Sequence, residues 1–229
     1  MSFDRQSEIM QAIVCDGLTL HLLPQKAVYL PAFEALLVAD VHIGKSETFQ
    51  HFGIPIASTV NQTTLDCLSQ LCAQFRPKQL LILGDLLHSR LALVDSALGP
   101  LQQFVATGEV DIKLIVGNHD RGLAASLESC GIACVAEVLE LGRLVLSHEP
   151  LALGDRFNIC GHVHPCLQLR TQLDRLRLPC FFLDKAANQL ILPAFGEFTG
   201  GYEMTLQPQT VAYAIAEEAV VPFAGRSAA

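Results

Sequence analysis

The sequence has no uninterrupted apolar run long enough for a bilayer: segments such as residues 27–41 are broken by Pro31, Glu34 and Asp40, whereas a spanning helix needs about 20 apolar residues in a row. A membrane span is therefore not expected. The first 16 residues scatter charges among their apolar positions. They offer no compact apolar block ahead of a small-residue cleavage site, so no secretion signal is read and the expected location is the cytoplasm. Cys-x-x-Cys is also missing: Cys130 and Cys134 are four apart, and Cys160 and Cys166 only bracket a histidine motif. The eight cysteines sit mostly in apolar segments, which reads as reduced, buried thiols and not as a disulfide framework or a zinc site.

Basic residues are in deficit. Fifteen Lys and Arg stand against 23 Asp and Glu, a formal charge of −8. A broad electrostatic grip on duplex nucleic acid, which requires many neutralised phosphates, is thereby disfavoured. Divalent cations bound among acidic residues would reverse the sign of the field locally. Only 17% of the 229 residues are charged while 51% are hydrophobic. This excludes a disordered chain and leaves room for an apolar subunit contact, hence a homo-oligomer. No linker or internal repeat divides the chain, so residues 1–229 are expected to form a single domain.

Apolar patterning predicts strands at 18–22, 27–30 and 35–39, followed by a helix in which Leu65, Leu68, Leu71 and Phe75 recur at helical spacing behind Asn61 and Thr63 as candidate caps. The alternation goes on with a strand at 79–83, a helix near 94–105, a strand at 112–116 and a short helix near 123–129. Further strands are read at 144–146 and 156–159, and from Cys166 onward the chain turns strand-rich, which suggests a second sheet.

Chemistry-bearing residues fall just after the predicted strands, where open α/β sheets collect their ligands. Asp40-Val41-His42 places two donors two residues apart, which in extended chain project to one side; alone, such a motif is more often a turn or a cap. Gly84-Asp85-Leu86-Leu87-His88 supplies a tight strand exit and a carboxylate able to bridge two cations. His88 fits either a ligand-orienting or phosphate-contacting role or an ordinary polar one. Gly117-Asn118-His119-Asp120 brings together an amide oxygen, an imidazole suited to proton transfer and a carboxylate to orient it. His148, which by itself would fit a satisfied core histidine, and Gly161-His162-Val163-His164 complete the series. Six of the eight histidines thus fall in five motifs, leaving His21 and His51 without a role.

Together these motifs resemble the signature of the calcineurin-like metallophosphoesterases, over roughly residues 35–165. The resemblance implies a four-layer α/β/β/α sandwich with a dinuclear site at the sheet edges. It implies Asp40, His42, Asp85 and His164 around one metal, and Asp85, Asn118, His148 and His162 around the other. His119 would be the general acid, with Asp120 behind it. His88 departs from the pattern, since many members carry Asp there. Ala39 to Lys45, the Gly53-Ile54-Pro55 turn and Leu192-Pro193-Ala194-Phe195-Gly196 resemble more narrowly the ligase-associated DNA damage response endonuclease branch, PdeM-like. That branch implies a phosphodiesterase cutting single-stranded DNA with Mn²⁺, and a helicase and a ligase of DNA repair as functional partners.

The donor set, Asp, Asn and His without thiolate, suits two divalent ions among Mn²⁺, Fe and Zn²⁺, and the narrower resemblance implies Mn²⁺ first. Lys45, Arg90 and Arg121 are candidate contacts for substrate phosphates, as is His88. The same ligands would serve a phosphatase or pyrophosphohydrolase on small nucleotides. A non-catalytic scaffold on the same fold is the other alternative.

Overall fold

The computed structural model describes residues 10–57, 59–108, 110–170, 174–197 and 199–225; residues 1–9, most of the charged leading stretch, lie outside the described part. A first sheet holds β1 (Gln11–Cys15), β2 (Leu18–Leu23), β3 (Ala27–Leu30), β4 (Ala35–Val38), β5 (Gln79–Leu83), β6 (Asp111–Ile115) and β7 (Ala133–Val135), paired in that order. Neighbours are antiparallel up to β4 and parallel from β4 to β7. Parallel neighbours need crossovers. Here these are α1 (Lys45–His51) with α2 (Val60–Phe75), then α3 (Asp95–Thr107), then α4 (Ala124–Ser129).

The second sheet holds β8 (Val138–Leu141), β9 (Leu144–Ser147), β10 (Phe157–Cys160), β11 (Pro165–Arg170), β12 (Arg175–Asp184), β13 (Gln189–Ile191), β14 (Tyr202–Glu203), β15 (Thr210–Ala216) and β16 (Ala219–Ala224). Its order is β14-β11-β12-β13-β10-β9-β8, with β15 on β12 and β16 on β15. β9, β10 and β13 run parallel to one another.

The period of two along each strand decides which layer a residue joins. In β4 and β5, Leu36, Val38, Leu80 and Ile82 face the helices and pack with Leu65, Leu68, Leu71 and Phe104. Their neighbours Ala35, Leu37, Leu81 and Leu83 face the other sheet and meet Leu144, Leu146, Ile159, Phe181 and Leu190. Each such leucine, buried to within 2%, contributes roughly 1.5–3 kcal/mol of transfer free energy. Both faces of the first sheet are thus covered by apolar matter, which its near-continuous apolar strands require.

The predicted α/β sandwich is what forms, with one difference in the fourth layer. Among the described residues no helix follows Ser129. The outer face of the second sheet instead gathers Cys160, Leu167, Cys180, Phe182, Ala212 and Ala214 around Leu178, Met204 and Phe223. The alternating pattern of this half feeds apolar side chains to both faces of strands and leaves no stripe of helical period to cover them. β1, β7 and β8 were not among the predicted strands, and two further elements carried no signal. α1 is short and mixed, with no side-chain cap at Gly44, and β16 holds Pro222, which is tolerated on an edge strand.

Candidate metal centre

Five strands lead into the site. β4, β5, β6, β9 and β10 end at Val38, Leu83, Ile115, Ser147 and Cys160, and Asp40, Asp85, Asn118, His148 and His162 follow within three residues of those ends. The i, i+2 pairs do not stand in extended chain as expected. Asp40, His42, Asp85, His162 and His164 all adopt left-handed backbone, with φ of 54°, 53°, 52°, 69° and 53°. Such conformations in residues bearing a Cβ cost on the order of 1–3 kcal/mol each and persist only where the surroundings impose them. Here the loops impose them on each other. The Asp40 amide donates to the Gly84 carbonyl at 3.1 Å, that of His42 to the Asp85 carbonyl at 2.9 Å, and that of His162 to Asp40 Oδ2 at 2.8 Å.

Two glycines make the close approach affordable. A Cβ on Gly84, itself at φ 80°, would sit 2.0 Å from His148 Nδ1, and one on Gly117 would sit 2.2 Å from Asp85 Oδ1. Both lie far inside contact distance, so the two loops and the imidazole can share this space only because no side chain intervenes.

The donors fall into groups whose ligand atoms lie within 4.8 Å of one another: Asp40, His42 and His164; Asp85, His148 and His162; and His42, His88 and His119. Asn118 joins the second through its Oδ1, 2.7 Å from His148 Nε2. Asp85 lies between groups, with Oδ1 3.5 Å from His148 Nε2 and Oδ2 3.9 Å from His119 Nε2. Three imidazoles are held in the same way. Nδ1 of His148 pairs with the Leu83 carbonyl at 3.0 Å, that of His164 with the Gly200 carbonyl at 3.2 Å, and that of His119 with the His88 carbonyl. Each ring thereby turns Nε2 inward, the arrangement by which metal-ligating histidines are oriented.

Asp40 is fully buried, and among the described residues its Oδ1 has no well-aligned hydrogen-bond donor, the nearest cation-forming group being His164 Nε2 at 3.2 Å. A buried carboxylate oxygen without a donor is costly. A cation satisfies it. Burial raises the pKa of Asp85, and His42 is driven down to about 2 by burial, then by His164, His88 and Lys45. His88 falls to about 4 through burial, Lys45 and His119. His164 goes the other way: burial opposes its charge, but the Asp40 carboxylate outweighs that and raises it. His42 and His88 held neutral by burial, with further imidazoles beside carboxylates that need counter-charge, form a donor set that two divalent ions fit.

The expectation that Asp120 stands behind His119 is not met. Asp120 is fully buried, and its carboxylate accepts from the backbone amides of Leu86 (3.3 Å), Leu87 (3.0 Å) and Gly117 (3.1 Å). It clamps the Asp85 loop to the Asn118 loop, while a backbone carbonyl orients His119. An isolated carboxylate next to an imidazole in sequence looks like an orienting group; only the packing of β5 beside β6 shows three amides competing for it. Asn61 is likewise no cap: its Oδ1 accepts from the Gly44 amide at 3.0 Å and its Nδ2 donates to Glu47, which ties α2 to the start of α1. Lys45 sits half-buried beside His42 and His88, over the Phe49 ring at 5.9 Å. Arg121 is exposed and turned to Glu149 at 3.8 Å. Arg90 lies against Gly122.

Strand ends converging on a cluster of Asp, Asn and His donors define a metallophosphoesterase. The chain belongs to the calcineurin-like metallophosphoesterase family and is a metal-dependent phosphoesterase. It is similar to the crystal structure of Pseudomonas putida nuclease MPE, with 40% identity over 93% of this chain and 100% of that one, and a TM-score of 0.81. The phosphoesterase Yfce from E. coli matches at 15% identity over 84% of this chain and 99% of its own, with a TM-score of 0.39. At that level it says nothing of this chain's activity. No protein-family model matches, and no curated protein does. Among the described residues no helix is long and apolar enough to cross a membrane.

Proposed function

We propose that this protein is a Mn²⁺-dependent endonuclease of single-stranded DNA that acts in cytoplasmic DNA repair, alongside a helicase and a ligase. The observation that carries the reading is the likeness to a nuclease along the whole of that chain, joined to a donor cluster of the kind described above. Eight free cysteines suit a reducing compartment.

Asp40, His42 and His164 would hold one ion, and Asn118, His148 and His162 the other, with Asp85 between them. Bound there, two divalent ions neutralise charge on the phosphoryl oxygens and make water a nucleophile at neutral pH. The rest falls to the chain. Asp40, with one buried oxygen short of a donor, and the buried Asp85 provide the negative field that binds cations while the surrounding leucines exclude bulk water. His119 is 37% exposed at the mouth, with Nδ1–H committed to the His88 carbonyl. In its protonated form Nε2–H hands its proton to the departing sugar oxygen and leaves the ring neutral, a contribution of about 10²–10⁴ in rate for a poor leaving group. Lys45, brought near His42 and His88, is the side chain best placed to meet a substrate phosphate.

The test is hydrolysis of circular single-stranded DNA by metal-stripped protein resupplied with Mn²⁺, with a phosphomonoester as control and Asp85→Ala as the inactive reference. Linearised circles support the reading. Consumption of the monoester alone moves the substrate to small phosphates and sinks the nuclease proposal.

A further inference from the structure

A cavity of about 320 Å³ opens beside the metal centre, with His164 as one of its walls. The strand-rich half of the chain builds most of it: Pro165 opens β11, and Arg177 and Pro179 belong to β12. Ala194 comes from the segment after β13, and Lys26 reaches in from the turn between β2 and β3. Its volume lies at the small end of the range for small-molecule sites. It suits a single nucleotide and is too small for a duplex.

Its charge runs against that of the chain. Lys26 and Arg177 face one carboxylate, Glu197, which leaves a net positive pocket on a protein of formal charge −8. Lys26 is 22% exposed and rests on Glu197 Oε1 at 3.3 Å and the Phe195 carbonyl at 3.5 Å. It occupies a left-handed turn position, φ 62°, that glycine or asparagine would fill at less cost. Arg177 uses Nη2 on the Gly201 carbonyl and on Cys166 Sγ. Among the described residues Nε and Nη1 make no hydrogen bond, so the guanidinium keeps charged donors for an anion. Between the cations, Pro165, Pro179 and Ala194 give an apolar floor.

We propose that this cavity is a subsite for the nucleotide next to the linkage being cut, its phosphate taken by Arg177 and Lys26 and its sugar and base laid on the proline floor. The proposal rests on the nucleic-acid reading above and adds to it the direction in which the substrate leaves the metals, past His164. It also accounts for how a protein of formal charge −8 can hold a strand: it grips a few nucleotides at built sites and forgoes a long electrostatic track.

The experiment uses the Mn²⁺-loaded enzyme and reads hydrolysis of bis(4-nitrophenyl) phosphate, which has no neighbouring phosphate, with 5′-phosphorylated dithymidylate as competitor. In Arg177→Ala and Lys26→Gln the inhibition constant of the dinucleotide rises about ten-fold or more relative to the KM for the aryl ester, and Arg177→Lys recovers part of the loss. If the two constants rise by the same factor, if neither moves, or if the dinucleotide fails to compete in the wild type, the subsite is refuted. The nuclease reading is judged apart, by the circular DNA. An enzyme that leaves the circle intact yet loses dinucleotide competition on Arg177→Ala keeps the subsite and loses the nuclease.

Discussion

Replacing Asp120 by alanine tests the reassignment of this residue from proton chemistry to loop clamping. The carboxylate accepts three backbone amides, from Leu86, Leu87 and Gly117, all of residues that are buried. Water cannot take over, so each amide left without an acceptor costs roughly 1–3 kcal/mol. Three would sum to roughly 3–9 kcal/mol on the same figures. The gain from no longer burying a carboxylate, whose pKa burial raises, offsets part of this, so the lower end, about 3–5 kcal/mol, is expected. That is a fifth or more of the total stability of a typical domain. Urea unfolding of the metal-free protein, followed by circular dichroism, measures it, and elemental analysis follows the metals, because the clamp fixes the loops carrying Asp85 and Asn118. Asp120→Ala within 1 kcal/mol of wild type, with full metal content and a rate loss confined to substrates with poor leaving groups, would refute the clamp and restore the orienting role.

Three further outcomes are expected. His119→Ala retains its metals but slows cleavage of DNA about 10²-fold or more beyond any loss on an aryl ester, whose leaving group needs no proton; equal losses on both substrates contradict the general-acid role. Gly117→Ala drives a Cβ to within 2.2 Å of Asp85 Oδ1, so metal content and all phosphoesterase activity fall together while the far ends of the sheets stay folded, as hydrogen exchange would report. Glu47 stands apart from the metals. Its partial burial raises its pKa, but hydrogen bonds from Asn61, Ser46 and Ser96 outweigh that and hold the carboxyl below its ordinary value. A depressed folded pKa contributes stability that is present above the unfolded value and lost as pH falls through the folded one. The urea midpoint of wild type therefore exceeds that of Glu47→Gln at pH 7, and the gap closes below pH 4.5; a gap independent of pH removes the charge from the explanation.

Much of the fold was legible because strand and helix periods are local. Ala35, Leu36, Leu37 and Val38 form a short continuous apolar run whatever lies opposite, and such a run announces a strand between two apolar layers. α1 was silent because Lys45–His51 has neither an apolar stripe nor a side-chain cap; it is helical because Asn61 and Glu47 tie it to α2. The extended pairs expected at Asp40 and His42 are left-handed instead, since hydrogen bonds from a neighbouring loop outweigh the intrinsic preference of the backbone.

By itself the sequence determined which donors exist and that they follow strand ends, because donor chemistry and strand period belong to single segments. The tertiary structure alone decided which groups meet. It gave Asp120 to three amides, turned three imidazoles inward on backbone carbonyls, left Asp40 Oδ1 without a donor, and set Lys26 and Arg177 in one cavity. These are matters of long-range packing: two sheets stacked face to face bring loops from distant parts of the chain to one end, and there the nearest acceptor, and not the nearest residue in sequence, takes each proton.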